Sequence, residues 1–128
     1  MAKSQGVEIR RGDVVLLHTG WLAMADIDAK MFIQNQPGIG LDAARYLAER
    51  GVVAVGSDTG GLEVQPSRVP THPFPVHGLL LANHGVYILE NIVTSELAED
   101  DAWEFMFVLG QPRFAGSVQA VINPIAIR

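Results

Sequence analysis

The chain alternates short apolar runs with polar breaks marked by glycine or proline, and the length of each run sets the element it predicts. Val14 to His18 (VVLLH) is short and β-branched after the polar turn Arg10 to Asp13, which predicts a buried strand. Thr19-Gly20-Trp21 follows, and the glycine permits a sharp turn. From Leu22 to Gln36 the pattern is mixed, with a partly helical stretch over Ala23 to Phe32. Leu41 to Arg50 carries the clearest helical period, with Leu41, Ala44, Leu47 and Ala48 on one face and Gly51 as the stop. Val52 to Gly56 is then a buried strand, and Ser57 to Gly61 a loop at its carboxyl end, where open α/β sheets place binding groups. Pro66, Pro70 and Pro73 exclude a long helix between Leu62 and Pro73.

The stretch from Phe74 to Ile92 (FPVHGLLLANHGVYILENI) predicts a short helix, a glycine stop and a strand. Pro75 suits a first helical turn, Leu79 to Ala82 supply the apolar body, and Gly85 suits a left-handed end. Val86 to Ile92 is too apolar to alternate cleanly, as expected of a central strand covered on both faces. On a period of two, Glu90 shares a face with Val86, Ile88 and Ile92. A buried carboxylate needs a cation or strong donors. An arginine, a set of backbone N–H groups, or a metal shared with His77 would each meet Glu90. Beyond it, Thr94 caps a short turn, Trp103 to Leu109 alternates as a strand, and Val118 to Ile127 gives one or two closing strands around Pro124. The succession of strand, helix and strand predicts an α/β fold with helices packed on a mixed sheet.

Composition narrows the function classes. A length of 128 residues predicts a single domain over 1–128, and 48% apolar against 18% charged residues predicts a globular one. The net charge of −5 offers no footprint for nucleic acid or an anionic membrane. No apolar run has membrane-spanning length and the N-terminus lacks a signal-peptide core, so a cytoplasmic location is expected. With no cysteine, disulfides, thiolate metal sites and thiol nucleophiles are excluded.

Two constellations carry candidate chemistry. Asp58-Thr59-Gly60 matches the loop of a two-chain aspartic protease, but that fold is nearly all β and a strong helix precedes the motif here. A nucleophile elbow must open a helix, and Leu62 to Pro70 is not one. Asp58 is therefore expected to end a strand and bond local backbone N–H groups. Of the four histidines, none forms the i,i+4 pair of a zinc-protease helix. His84 sits at a helix end, His72 in a loop, and His18 at a strand end on the core side. His77 and Glu90 each help to explain the other, although two ligands fall short of the roughly three protein ligands of catalytic zinc. Trp21 either floors a pocket or packs on its rim.

The stretches VVLLHTGW, PGIGLDAARYLAERGVVAVGSDT, FPVHGLLLANHGVYILENI and the tail NPIAI occur in an order that closely resembles the cyclase family of metal-dependent hydrolases. That family includes bacterial kynurenine formamidase and isatin hydrolase, and the resemblance runs from about Arg10 to the C-terminus. It implies an α/β fold of the swivelling β/β/α kind with Mn or Zn at the active site. The family's histidine in FPVH and its glutamate in ILEN are metal ligands, so the resemblance assigns His77 and Glu90 to the metal. It implies attack by metal-activated water on an amide, lactam or aryl formamide carbonyl, with Trp21 and Asp58 near the pocket.

The sequence departs from the family in lacking its His-x-Gly-Thr-His-x-Asp-x-Pro segment, and it reads Gly116-Ser117-Val118 where relatives have Gly-Ser-Pro. By resemblance it is the C-terminal half of such a hydrolase: a truncated or split gene product, a non-catalytic remnant, or a piece needing a complementing N-terminal chain. The expected partners are a small-molecule amide or formamide and further copies of the chain, since half a domain exposes sheet edges and apolar surface. The alternative expectation is a non-catalytic domain that binds a small molecule or pairs with itself.

Overall fold

The computed structural model describes residues 2–69 and 71–128, so Pro70 of the proline-rich loop lies outside the described residues. A three-stranded parallel sheet forms the centre, from β1 (Val14–Leu17), β2 (Ala54–Ser57) and β3 (Tyr87–Leu89) in that spatial order. Parallel neighbours need crossovers. The first runs through α1 (Met24–Ile27), α2 (Ala29–Gln34) and α3 (Leu41–Arg50), the second through α4 (Pro75–His77), which continues into a π-helical stretch, Gly78–Asn83. The rest of the chain adds α5 (Ser95–Glu99) and an antiparallel ribbon of β4 (Met106–Val108) and β5 (Ile125–Ile127).

Side-chain alternation assigns each face of the sheet. Val15, Leu17, Val55 and Ile88 point into one apolar cluster with Ala44 and Leu47 of α3, Val76 of α4 and Leu80 of the π stretch. Val14, Leu16, Ala54 and Leu89 point the other way, onto Ile92, Phe107 and Leu109. The molecule is thus layered as helices, parallel sheet and ribbon. The expected α/β class with both kinds of pairing is present, divided between two sheets. Neighbouring side chains crowd Gly56, where a Cβ would lie 2.7 Å from Leu16 Cδ2.

The predicted helix Leu41–Arg50 matches residue for residue, and Gly51 ends it with φ 73°. Gly85 closes the π stretch at φ 64°, also as expected. Three strand expectations need correction. β3 is an edge strand of three residues, not a central strand over Val86 to Ile92; β2, buried at all four positions, takes the centre. β1 is half-buried throughout. His18 just beyond it leaves the core, with 40% of its side chain exposed.

Candidate functional site

Because the three strands run parallel and in register, their carboxyl ends share one edge of the sheet. Leu17 pairs with Ser57 and Gly56 with Leu89, so His18, Asp58 and Glu90 each follow the end of a neighbouring strand. Open α/β sheets gather functional groups at this edge. The segment after β3 then crosses it: Ile92 donates to the Ser57 carbonyl, and the Thr94 hydroxyl meets His18 Nδ1 at 2.8 Å. Thr94 does precede α5 as its N-cap, but its side chain serves His18 instead of the helix.

Asp58 is buried and its carboxylate is fully engaged. Oδ1 accepts from the Thr19 backbone N–H at 2.9 Å and from the Thr19 hydroxyl at 2.6 Å, while Oδ2 accepts from Gly20 N–H at 2.7 Å. Two of the three donors are backbone groups, but all come from the neighbouring strand's turn and not, as expected, from Asp58's own surroundings. Asp58 therefore ties the end of β1 to the end of β2 and fixes the turn that carries Trp21. Trp21 itself is half-buried, with its indole N–H shielded and lacking an acceptor among the described residues.

His77 closes α4 and lies between two carboxylates. Its Nδ1 is 2.5 Å from Glu63 Oε1, and its Nε2 is 3.2 Å from Glu90 Oε1. The Phe74 ring packs edge-on against it, with centroids 5.4 Å apart. Glu63 also accepts the Val76 N–H at 3.0 Å and the His77 N–H at 3.1 Å, which are orphan donors of a first helical turn. The hydrogen bond to Glu90 raises the His77 pKa above its ordinary value; burial opposes this, and Glu63 adds to the rise. The Glu90 hydrogen bond is the largest single cause although the Glu63 contact is shorter.

The buried carboxylate of this group is Glu63, with 3% of its side chain exposed; Glu90, at 26%, borders solvent. Period two misplaced that burial because Glu90 lies one residue past the end of β3. Glu63 was invisible to sequence reasoning, since it stands in a non-periodic loop among prolines. Its one signal is a lone carboxylate between Leu62 and Val64.

The arrangement suits a divalent cation on one side of the ring. Metal–nitrogen and metal–oxygen bonds of about 2.0–2.2 Å put two ligands of one ion roughly 3.0–3.4 Å apart, and the Nε2–Oε1 separation falls in that range. Charge-assisted N–H···O bonds are typically shorter, about 2.7–2.9 Å. A ligating histidine commonly donates its other N–H to a carboxylate, as Nδ1 does to Glu63. Among the described residues, no three His, Cys, Asp or Glu side chains converge on one ligand position. Glu63, His77 and Glu90 form a line, not a cage.

The kynurenine formamidase of Bacillus cereus is 31% identical over 99 residues, which is 76% of this chain and 44% of that protein. A crystal structure described as a novel cyclase superposes with a TM-score of 0.85 at 32% identity, covering 99% of this chain and 44% of that one. The chain therefore spans less than half the length of these relatives. The family model named Cyclase, described as putative cyclase, matches residues 1–64, half of the sequence, and the superposed structure carries the likeness through the remainder. With the parallel sheet and the carboxylate-flanked histidine at its edge, these matches establish that the chain belongs to the cyclase family.

Proposed function

We propose that this chain supplies one half of a metal-dependent hydrolase site that cleaves the C–N bond of an amide, lactam or aryl formamide. His77 and Glu90 would hold the ion. The observation that carries the proposal is the 3.2 Å approach of His77 Nε2 to Glu90 Oε1 while Nδ1 is committed to Glu63. Its support is the family itself and the formamidase among its relatives. When bound, an ion of the Mn or Zn kind lowers the pKa of a water and polarises the substrate carbonyl.

The chain's own residues do the rest. Glu63 orients the imidazole, and Phe74 packs against its edge. Glu90 is open to solvent on one side, which leaves room for substrate beside the ion. Asp58 holds the turn that places Trp21, the candidate pocket aromatic. Catalytic ions take about three protein ligands, so further ligands would come from another segment or chain. No helix among the described residues is long and apolar enough to cross a membrane.

Metal content, Mn²⁺ and Zn²⁺ affinity, and aryl formamide hydrolysis test the proposal together. Binding that His77→Ala abolishes is the expected result. A folded protein that takes up neither ion and turns over no formamide overturns it.

A second reading, a non-catalytic domain that pairs with itself, is favoured by the outer face of the ribbon. Met106 pairs with Ile127 and Val108 with Ile125, and all four side chains are exposed.

A further inference from the structure

We infer that Glu63 is a positioning residue that holds the His77 ring as the Nδ1–H tautomer and so reserves Nε2 for the ion shared with Glu90. The inference deepens the metal reading above and rests on it for the identity of the ion, but not for the tautomer.

Hydrogen-bond accounting carries the argument. An ionised carboxylate can only accept, so the ring nitrogen that meets Glu63 must carry the proton. Two backbone N–H groups, from Val76 and His77, also donate to Glu63 and occupy acceptor sites on both of its oxygens. A protonated Glu63 would lose one of those acceptor sites. With Nδ1 protonated in the neutral ring, the lone pair lies on Nε2, on the side of Glu90. The same accounting excludes Glu63 as a third ligand. Both its oxygens are already committed to donors on α4, on the far side of the ring from Glu90.

The scaffold behind Glu63 is over-determined, as a positioning group requires. Leu62, fully buried, is held at φ 56°, a left-handed conformation unfavourable for a bulky residue. The Glu63 carbonyl accepts from Gln36 Nε2 at 2.6 Å, and Ile39 forms a β-bridge with Glu63. Gly38 lets the strand-like segment 36–39 lie against this turn. A Cβ on Gly38 would collide with the Leu62 carbonyl and the Glu63 backbone. A strained residue, a bridge and a glycine contact thus converge on the backbone that carries Glu63.

The test reads the tautomer directly. Nitrogen-15 chemical shifts of histidine in the metal-free chain, taken at a pH where His77 is neutral, should show His77 as Nδ1–H. A parent ring in the Nε2–H form overturns the inference without any variant. In Glu63→Gln the carboxamide can donate to Nδ1, so the Nε2–H form should gain population. Zn²⁺ affinity, measured by competition with a chelating dye, should fall by about 10–100-fold, and Glu63→Asp should recover part of it. A Glu63→Gln protein that folds and keeps the parent tautomer overturns the inference, whatever its affinity. An unchanged Zn²⁺ affinity beside a shifted tautomer overturns the link to the ion. A shifted tautomer in a chain whose parent binds no Zn²⁺ or Mn²⁺ supports the positioning role and overturns the metal reading alone.

Discussion

Flanked by Glu90 and Glu63, His77 gains more from its proton in the folded chain than in the unfolded one. Its raised pKa means that the imidazolium stabilises the metal-free fold fully below the unfolded value, about 6.5. That stabilisation is lost as pH rises through the higher folded value. Denaturant midpoints of metal-free protein should therefore fall on raising the pH from near 6.5 toward 9, and Glu90→Gln should flatten the trend. If an ion binds at His77 as proposed, its affinity should show the opposite dependence, strengthening with pH because ion and proton compete for Nε2. A second prediction concerns Asn91, next to Glu90 and held at φ 53°. Asn91→Gly should be close to neutral, whereas Asn91→Val should cost on the order of 1–3 kcal/mol in chemical unfolding. Glycine tolerates that backbone and a β-branched residue does not.

At the scale of elements, the Asp58 clamp joins two strand ends across 38 residues of sequence. Asp58→Asn keeps the shape but replaces one acceptor oxygen with a donor that faces the N–H of either Thr19 or Gly20. The expected cost is about 1–3 kcal/mol by denaturant unfolding, with a change in Trp21 fluorescence as its turn loosens. This level also separates what was legible in the sequence from what was not. The α3 helix was readable to the residue because its period, its apolar face and Gly51 are all local signals. The neighbour order of the strands is not local. An apolar run such as Val86 to Ile92 reads as central, yet β3 lies at the edge because α3 and α4 both cover the same face of the sheet. For the candidate site, sequence reasoning singled out His77 and Glu90, which lie in patterned stretches and meet in the fold. It missed Glu63, whose partners sit in α4 beyond an aperiodic loop.

On the scale of the whole molecule, the inner face of the ribbon is used and its outer face is not. Phe107 and Leu109 pack on the sheet, while Met106, Val108, Ile125 and Ile127 remain open. A two-stranded ribbon has little stability by itself, so packing on one face anchors it and leaves the other free for a second copy. If that face pairs copies, Val108→Lys with Ile125→Lys should lower the mass seen by light scattering while leaving the circular dichroism spectrum unchanged. An unaltered mass would place any self-association elsewhere.

The π-helical stretch Gly78–Asn83 has a consequence for how this chain tolerates changes in length. Each of its hydrogen-bonded turns encloses one residue more than an α turn. It therefore behaves as slack between two fixed points, the His77 ring and the left-handed Gly85. Deleting the exposed Leu81 should let the segment tighten to α geometry with both anchors in place and little change in melting temperature. A deletion inside α3, which has no such slack, should rotate Ala44 or Leu47 out of the core and unfold the domain.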